Sequence, residues 1–298
     1  MPRLAAFPKC FMDELCVTRS MSLEQWIDLG ATLGVEGLEL YPAFFAGDDP
    51  AYLRSIRDRL RRHGLVMPML CYSPDFTQPD PAARAMEVAR CKRAIDLVAF
   101  FDAPPPRSCR VLSGQRRPGV SVEQGVAWVR ECLEACLPHA EARGVVLAME
   151  NHYKDNYWQY PEFAQRLDVF LQIVEAIDSP WFGVNYDPSN AFLAGEDPLV
   201  VLEAVKHRVV SMHASDRHLA PGHTLEELRA MEDALGYASI LHHGEVGRGL
   251  NDYDAIFSTL AAVGFDGWIS IEDGTQGLEE LRRSVAFVRR KMQEHFPR

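Results

Sequence analysis

Four apolar runs in this chain end in residues that bind cations. Val145-Val-Leu-Ala-Met-Glu-Asn-His152 carries Glu150, Trp181-Phe-Gly-Val-Asn-Tyr-Asp187 ends in Asp187, Val209-Val-Ser-Met-His213 in His213, and Gly267-Trp-Ile-Ser-Ile-Glu272 in Glu272. An acid at the tip of a buried strand is unfavourable unless it is paired or holds a cation. Four such tips suggest that the side chains converge on one divalent-metal site. Three carboxylates and one imidazole form a mostly oxygen donor set, which suits Mn²⁺ best, with Mg²⁺, Co²⁺ and Zn²⁺ also admissible. An ion with open positions would act as a Lewis acid on a chelating carbonyl and make the neighbouring C–H acidic. Glu150 and Glu272 are then the natural acid/base pair, one taking a proton and the other returning it.

Each residue also has a simpler reading. A lone acid at a strand end is as readily a salt bridge or a helix cap, and Asp187 precedes Pro188-Ser-Asn, where it could cap a helix. Glu150 and Glu272 follow runs too apolar for solvated acids. His152, two residues after Glu150, turns toward the same side by strand alternation. It is a candidate catalytic acid or base with a pKa near neutrality, or simply a hydrogen-bonded residue at the rim.

The elements that must position these groups read as repeated βα units. Strands are expected near Leu4–Pro8, Gly37–Tyr41, Val66–Tyr72, Cys109–Ser113, Val145–Glu150, Phe182–Asp187, Val209–His213 and Trp268–Glu272, with amphipathic helical stretches between them. Ser22 and Ser121 are placed to cap helices, and Gly34, Gly64 and Gly264 to stop them just before the next strand. Eight such units predict an α/β fold, a single (β/α)8 TIM barrel spanning residues 1–298. In that fold every strand opens its carboxyl end on one face. A doubly wound open sheet would usually carry a glycine-rich phosphate turn after its first strand, and none occurs there.

Composition narrows the partners. With 47% hydrophobic and 24% charged residues the chain reads as globular. Its formal net charge of -11 disfavours nucleic acid and anionic membranes. No run approaches the roughly 18 apolar residues that cross a bilayer, and the amino terminus does not read as a signal peptide, so a cytoplasmic location is expected. The seven cysteines are scattered and read as reduced core thiols.

The order Glu150, Asp187, His213, Glu272 on successive strands resembles the xylose-isomerase-like barrel superfamily, in particular its sugar isomerase/epimerase branch, over nearly the whole chain. The resemblance implies that these four residues ligate a Mn²⁺-type ion without an organic cofactor, and that the two glutamates double as the acid/base pair. His213-Ala-Ser-Asp216 is similar to the family's His-x-Lys-Asp, with Ser215 in place of lysine, and Gly247-Arg-Gly-Leu-Asn-Asp-Tyr-Asp254 to the segment entering its last helix. Where epimerases of simple ketoses carry a substrate-binding histidine three residues after the aspartate, this chain has Asn190. The related apurinic-site endonucleases assemble extra histidines and basic surfaces, which this acidic chain lacks.

Further candidates for substrate binding are Asn190, Asp216, His218, His243 and Arg248, together with Tyr153 and Trp158 in the polar, aromatic segment 151–160. Tyr41, Phe44, Phe45 and Tyr72 follow early strands and could stack on a sugar. The insert from Arg217 to Gly244 is longer than a minimal connection and reads as a lid or a subunit contact. Three functions compete. The first is a metal-dependent isomerase/epimerase acting on a keto sugar or 3-oxo-glycoside through an enediolate. The second is a lyase that expels a leaving group from the same enolate by β-elimination, as the resemblance to inosose dehydratases and C-glycoside-cleaving subunits implies. The third, ranked last because both glutamates are intact, is a non-catalytic sugar-binding barrel. The expected partner is a small carbohydrate, and the resemblance also admits a homo-oligomer or a small partner subunit.

Overall fold

The computed structural model describes residues 1–231, 238–273 and 275–296. Ten strands form in chain order: β1 (Arg3–Ala6), β2 (Gly37–Leu38), β3 (Met69–Cys71), β4 (Ser108–Val111), β5 (Val146–Glu150), β6 (Phe182–Tyr186), β7 (Val209–Ala214), β8 (Arg217–Leu219), β9 (Leu241–His243) and β10 (Trp268–Ile271). Eight of them run parallel in the order β2-β1-β10-β7-β6-β5-β4-β3. Parallel bridges Gly37↔Val66 and Leu40↔Leu70 join the two ends of that order, so the sheet closes into a (β/α)8 TIM barrel.

All eight expected strands are present, and those at the closure are shorter than the apolar runs that suggested them. The runs Gly37–Tyr41 and Val66–Tyr72 reduce to Gly37–Leu38 and Met69–Cys71. Pro68 lies inside the second run and has no N–H to give a ladder. A Cβ on Gly37 would stand 2.9 Å from the Pro68 ring, so the seam closes only around a glycine. Individual bonds replace the regular ladder there, among them Leu38 N to Val66 O at 2.9 Å and Cys71 N to Leu40 O at 2.8 Å.

The expected helix boundaries hold. Ser22 forms a reciprocal capping box with Gln25, and the Ser121 hydroxyl accepts from Gln124 N at 3.2 Å. Gly34, Gly64 and Gly264 take φ values of +75°, +69° and +75°, the left-handed conformation that ends a helix. One core cluster joins the barrel interior to the surrounding helices. The cysteines are all free, with Cys71, Cys91, Cys109, Cys132 and Cys136 buried in it. Among the described residues no helix is long and apolar enough to cross a membrane.

The insert after β7 is a compact addition. β8 and β9 pair antiparallel, with Arg217 opposite His243 and His218 opposite His242. A short helix, Leu225–Ala230, lies between them; residues 232–237 of this insert lie outside the described residues. Leu228 and Leu241 of the insert share a small second core with Phe192 and Leu193, and Tyr153 packs on it. The insert is thereby seated on the helix Pro188–Leu193 and against the loop that follows β5.

Candidate metal centre and active site

β5 is paired on both sides, by β4 and β6, and its sequence is apolar until Glu150, so the chain carries this carboxylate to the barrel mouth at 1% exposure. Asp187 follows β6, His213 lies near the end of β7, and Glu272 follows β10. One donor atom from each of Glu150, Asp187, His213 and Glu272 lies within 4.8 Å of the other three. The four residues singled out by strand position are therefore brought together. Asp187 also does what its simpler reading foresaw: Oδ1 caps the helix Pro188–Leu193, accepting from Ser189 N at 2.8 Å and Asn190 N at 3.3 Å, and takes the Ser215 hydroxyl at 2.6 Å. Capping and membership of the cluster coexist.

The donor set fits a divalent cation, and the hydrogen bonds around His213 give the reason. The Ser211 hydroxyl donates to Asn185 Oδ1 at 2.8 Å, which turns the Asn185 amide nitrogen toward His213 Nδ1 at 3.1 Å. Nδ1 is then the acceptor nitrogen, and Nε2–H donates to Glu39 Oε1 at 2.8 Å. A carboxylate behind an imidazole fixes its tautomer and raises its basicity, a common support for a metal-ligating histidine. In front of it, the Nδ1 lone pair faces Glu150 Oε1 at 3.2 Å and Glu272 Oε2 at 3.0 Å. Lone pairs and carboxylate oxygens at such separations repel unless a proton or a metal cation lies among them. Burial opposes charge on His213, but Glu39, Glu272 and Glu150 outweigh it and push its pKa well up. The same field that would hold a proton there suits a metal ion. Burial, with Glu150 and Glu272 nearby, pushes Asp187 up to about 7.

Two cations back the two glutamates. Arg110 Nε is 3.1 Å from Glu150 Oε2, with 6% and 1% of the two side chains exposed. Its Nη1 is anchored on Tyr72 O at 3.3 Å and Ser73 Oγ at 3.1 Å. Lys9 Nζ donates to Glu272 Oε1 at 3.2 Å. Burial disfavours ionised Glu272, yet Lys9 and His213 hold it well below the usual carboxylate range. Glu162, by contrast, is buried without a paired cation; burial pushes it up to about 8, even though the Ser113 backbone N–H and hydroxyl donate to its Oε1. The comparison shows what the cations do.

The other expected residues divide by location. His152 lines the mouth at 7% exposure and stacks on Tyr153, ring centroids 4.8 Å apart. Burial pulls its pKa down to about 4. Together with Lys9, Tyr41, Arg110 and Glu272 these rings line a cavity of about 40 Å³, to which the segment Lys154–Tyr157 also contributes. Asn190 donates from Nδ2 to Glu150 Oε1 at 3.2 Å, so it is in the site. Asp216 is not turned to the mouth: its carboxylate accepts the backbone N–H groups of Arg217, Gly247, Gly249 and Asn251. The Arg248 side chain is 73% exposed and pairs with Glu245 at 4.0 Å, and His218 is exposed against His242 on the hairpin. His243 is held by Asp273 Oδ1 at 2.9 Å. Trp158 is half-buried outside the mouth lining.

Sequence reasoning missed Glu39, Lys9 and Arg110. Glu39 ends a run of the same kind as the four ligand strands, Gly37-Leu-Glu, and Arg110 is a charge in the middle of an apolar strand; both were visible signals. Lys9 carries none, because its partner is 263 residues away.

A parallel barrel with three carboxylates and an imidazole gathered at the carboxyl ends of its strands defines a class, the (β/α)8 barrels with a candidate cation site at the mouth. Within that class the chain belongs to the xylose isomerase-like TIM barrel family, whose profile matches residues 27–291. It is 32% identical over 129 residues to 3-oxo-isoapionate decarboxylase from Pectobacterium atrosepticum; the match spans 43% of this chain and 39% of that protein. Among solved structures, an L-ribulose 3-epimerase superposes with a TM-score of 0.75 at 15% identity, covering 99% of this chain and 96% of the other. The IOLI protein with a bound zinc atom superposes with a TM-score of 0.74 at 15% identity, covering 99% and 100%. At such identities the two structures speak to the fold.

Proposed function

We propose that this protein is a metal-dependent enzyme that moves a proton on the carbon next to the carbonyl of a keto sugar or 3-oxo-sugar derivative, as an isomerase or epimerase. The observation that carries this reading is the placement of Glu150 and Glu272. They reach the same His213 nitrogen, at 3.2 and 3.0 Å, from strands on either side of β6 and β7, and each has a cation of its own. A divalent cation held by Glu150, Asp187, His213 and Glu272 would supply Lewis-acid stabilisation of negative charge on a substrate oxygen. Mn²⁺ suits the oxygen-rich set best.

The residues of the chain do the rest. Arg110 cannot release a proton, so it keeps Glu150 ionised as a base, and Asn190 fixes the orientation of that carboxylate. Lys9 donates to Glu272, and against the cost of burial the Glu272 carboxylate pushes the Lys9 pKa up, so Lys9 stays charged and orients that carboxylate. His152, expected to titrate near neutrality, is instead pulled down to about 4 by burial; it is neutral near pH 7, a weak base suited to hydrogen bonding at the mouth rather than to taking the proton. Tyr153 and the segment after it line the mouth cavity beside the candidate acid/base pair.

The decarboxylase relative favours a second reading on the same site, a carbon–carbon lyase. There the bond to a carboxylate breaks in place of a C–H bond, its electron pair passes into the adjacent enolate, CO₂ leaves, and a site acid delivers the proton. Incubation of the metal-loaded protein in D₂O with ketoses, 3-oxo-glycosides and 3-oxo-sugar acids separates the two, with products read by NMR after the metal is removed. Deuterium in an epimer or isomer is the expected result. Release of CO₂, water or an aglycone would replace the first reading by the lyase, and absence of both exchange and release across the panel would overturn the enzyme reading.

A further inference from the structure

Arg217 opens the hairpin strand β8 immediately after Asp216, and the backbone there is tightly stitched. Asp216 Oδ1 accepts from Arg217 N at 3.0 Å and Asn251 N at 3.2 Å, its Oδ2 accepts from Gly247 N at 2.8 Å and Gly249 N at 3.0 Å, and Leu250 N donates to Arg217 O at 2.9 Å. The side chain this scaffold presents is an anomaly. Arg217 is 6% exposed, its guanidinium lies over the Tyr153 ring at 5.6 Å, and its Nε has no hydrogen-bond partner. Among the described residues no carboxylate comes within 4.0 Å of it. The other deeply buried arginine of the site region, Arg110, has Glu150, and Arg117 has Asp75. A buried guanidinium without a counter-ion is costly, and proteins retain one where an anion is to be bound.

Arg217 faces a cavity of about 360 Å³ between the segment Tyr153–Asn156 and β9. Lys154, His242 and His243 share its wall, with Asp155 as its one acidic member among the described residues. His243 is already committed to Asp273. The cavity adjoins the mouth cavity through Tyr153 and Lys154, and Arg217 is close enough for its charge to act on Lys9.

We propose that this cavity is a subsite for an anionic end of the substrate, a carboxylate or a phosphate remote from the reacting carbonyl, with the Arg217 guanidinium as its counter-ion. The planar fork of donors matches either anion in a bidentate pair, and Asp216 serves to hold that fork in place. The volume is in the range of a small-ligand site. The inference rests on the preceding reading for the position of the rest of the substrate, and it narrows the substrate class from neutral keto sugars to anionic ones.

The test is calorimetric titration of the metal-loaded protein with three compounds on one carbon skeleton: sorbitol, gluconate and sorbitol 6-phosphate. At least one of the two anions should bind about 10- to 100-fold tighter than sorbitol, the worth of a charge-assisted bidentate contact, and which one does so separates carboxylate from phosphate. Arg217→Met should bring that anion to the level of sorbitol, and Arg217→Lys, which keeps charge and bulk, should retain part of the preference. Lys154→Ala, at a half-buried position of the cavity wall, should weaken it only a few-fold and more so at low salt. Equal affinity for all three compounds in the wild type, or an unchanged preference in a folded Arg217→Met or Arg217→Lys variant, overturns the proposal. Binding is read without turnover, so failure of the proton-transfer reading in D₂O would leave this outcome separately visible.

Discussion

The two halves of the barrel contribute to the site in different currencies. The second half, β5, β6, β7 and β10, supplies the clustered candidate ligands Glu150, Asp187, His213 and Glu272. The first half supplies what makes that concentration of charge tolerable: Lys9 after β1, Glu39 beyond β2 and Arg110 on β4. The lesson is electrostatic. Acids can be gathered in a buried mouth only if the opposite wall returns charge of the other sign and fixes the one neutral ligand in its tautomer.

The strongest way to break this comparison is to neutralise the ligand half. Glu150→Gln and Glu272→Gln are each expected to lower turnover by roughly 10²- to 10⁴-fold while the far-UV circular dichroism is unchanged. Turnover within a few-fold of wild type would remove that glutamate from the proton transfer. On the opposite wall, Arg110→Met leaves the Glu150 carboxylate buried without its partner and should cost about 3–5 kcal/mol of unfolding free energy, read from urea titrations at saturating metal. A loss under about 1 kcal/mol would mean that the bound cation alone balances Glu150.

Glu162 sharpens the comparison as an acid that lacks a paired cation. Burial raises its carboxyl to about 8, so between the ordinary carboxylate range and that value the folded chain holds a proton that the unfolded chain has released. This contribution makes stability fall as pH rises through that window and level off above it. Glu162→Gln cannot ionise and keeps an acceptor for Ser113; its stability relative to wild type should be nearly constant below pH 4.5 and climb by on the order of 5 kcal/mol toward pH 8. Parallel stability profiles would show that Glu162 is ionised in the folded chain. The smallest effect is expected behind the metal ligand. Glu39→Gln removes the charge that backs His213 and should weaken divalent-metal affinity about 10- to 100-fold in a competitive chelator titration, with the fold intact. An unchanged affinity would reduce Glu39 to a packing role.

Much of the barrel was legible because parallel strands buried on both faces must be apolar along their length, so an acid or imidazole at their tips stands out. Glu150, Asp187, His213 and Glu272 were found that way. Less was legible at the rim. Asp216 and Arg248 read as substrate contacts from a motif, but the first spends its oxygens on four backbone N–H groups and the second points to solvent. Loop residues have no periodicity that tells which way a side chain turns, so neighbourhood in sequence is a poor guide there.

What the sequence by itself determined is the alternation of strands and helices, the helix caps and stops, the barrel, and the convergence of four strand-tip side chains, since each of these is written in local pattern and in the cost of burying charge. What only the tertiary structure decided is which charges meet. Lys9 finds Glu272 across 263 positions, Glu39 finds His213 across 174, and Arg217 is left, among the described residues, without a carboxylate beside a cavity. Electrostatic energy depends on distance and burial in space, and neither quantity is carried by the spacing of residues along the chain.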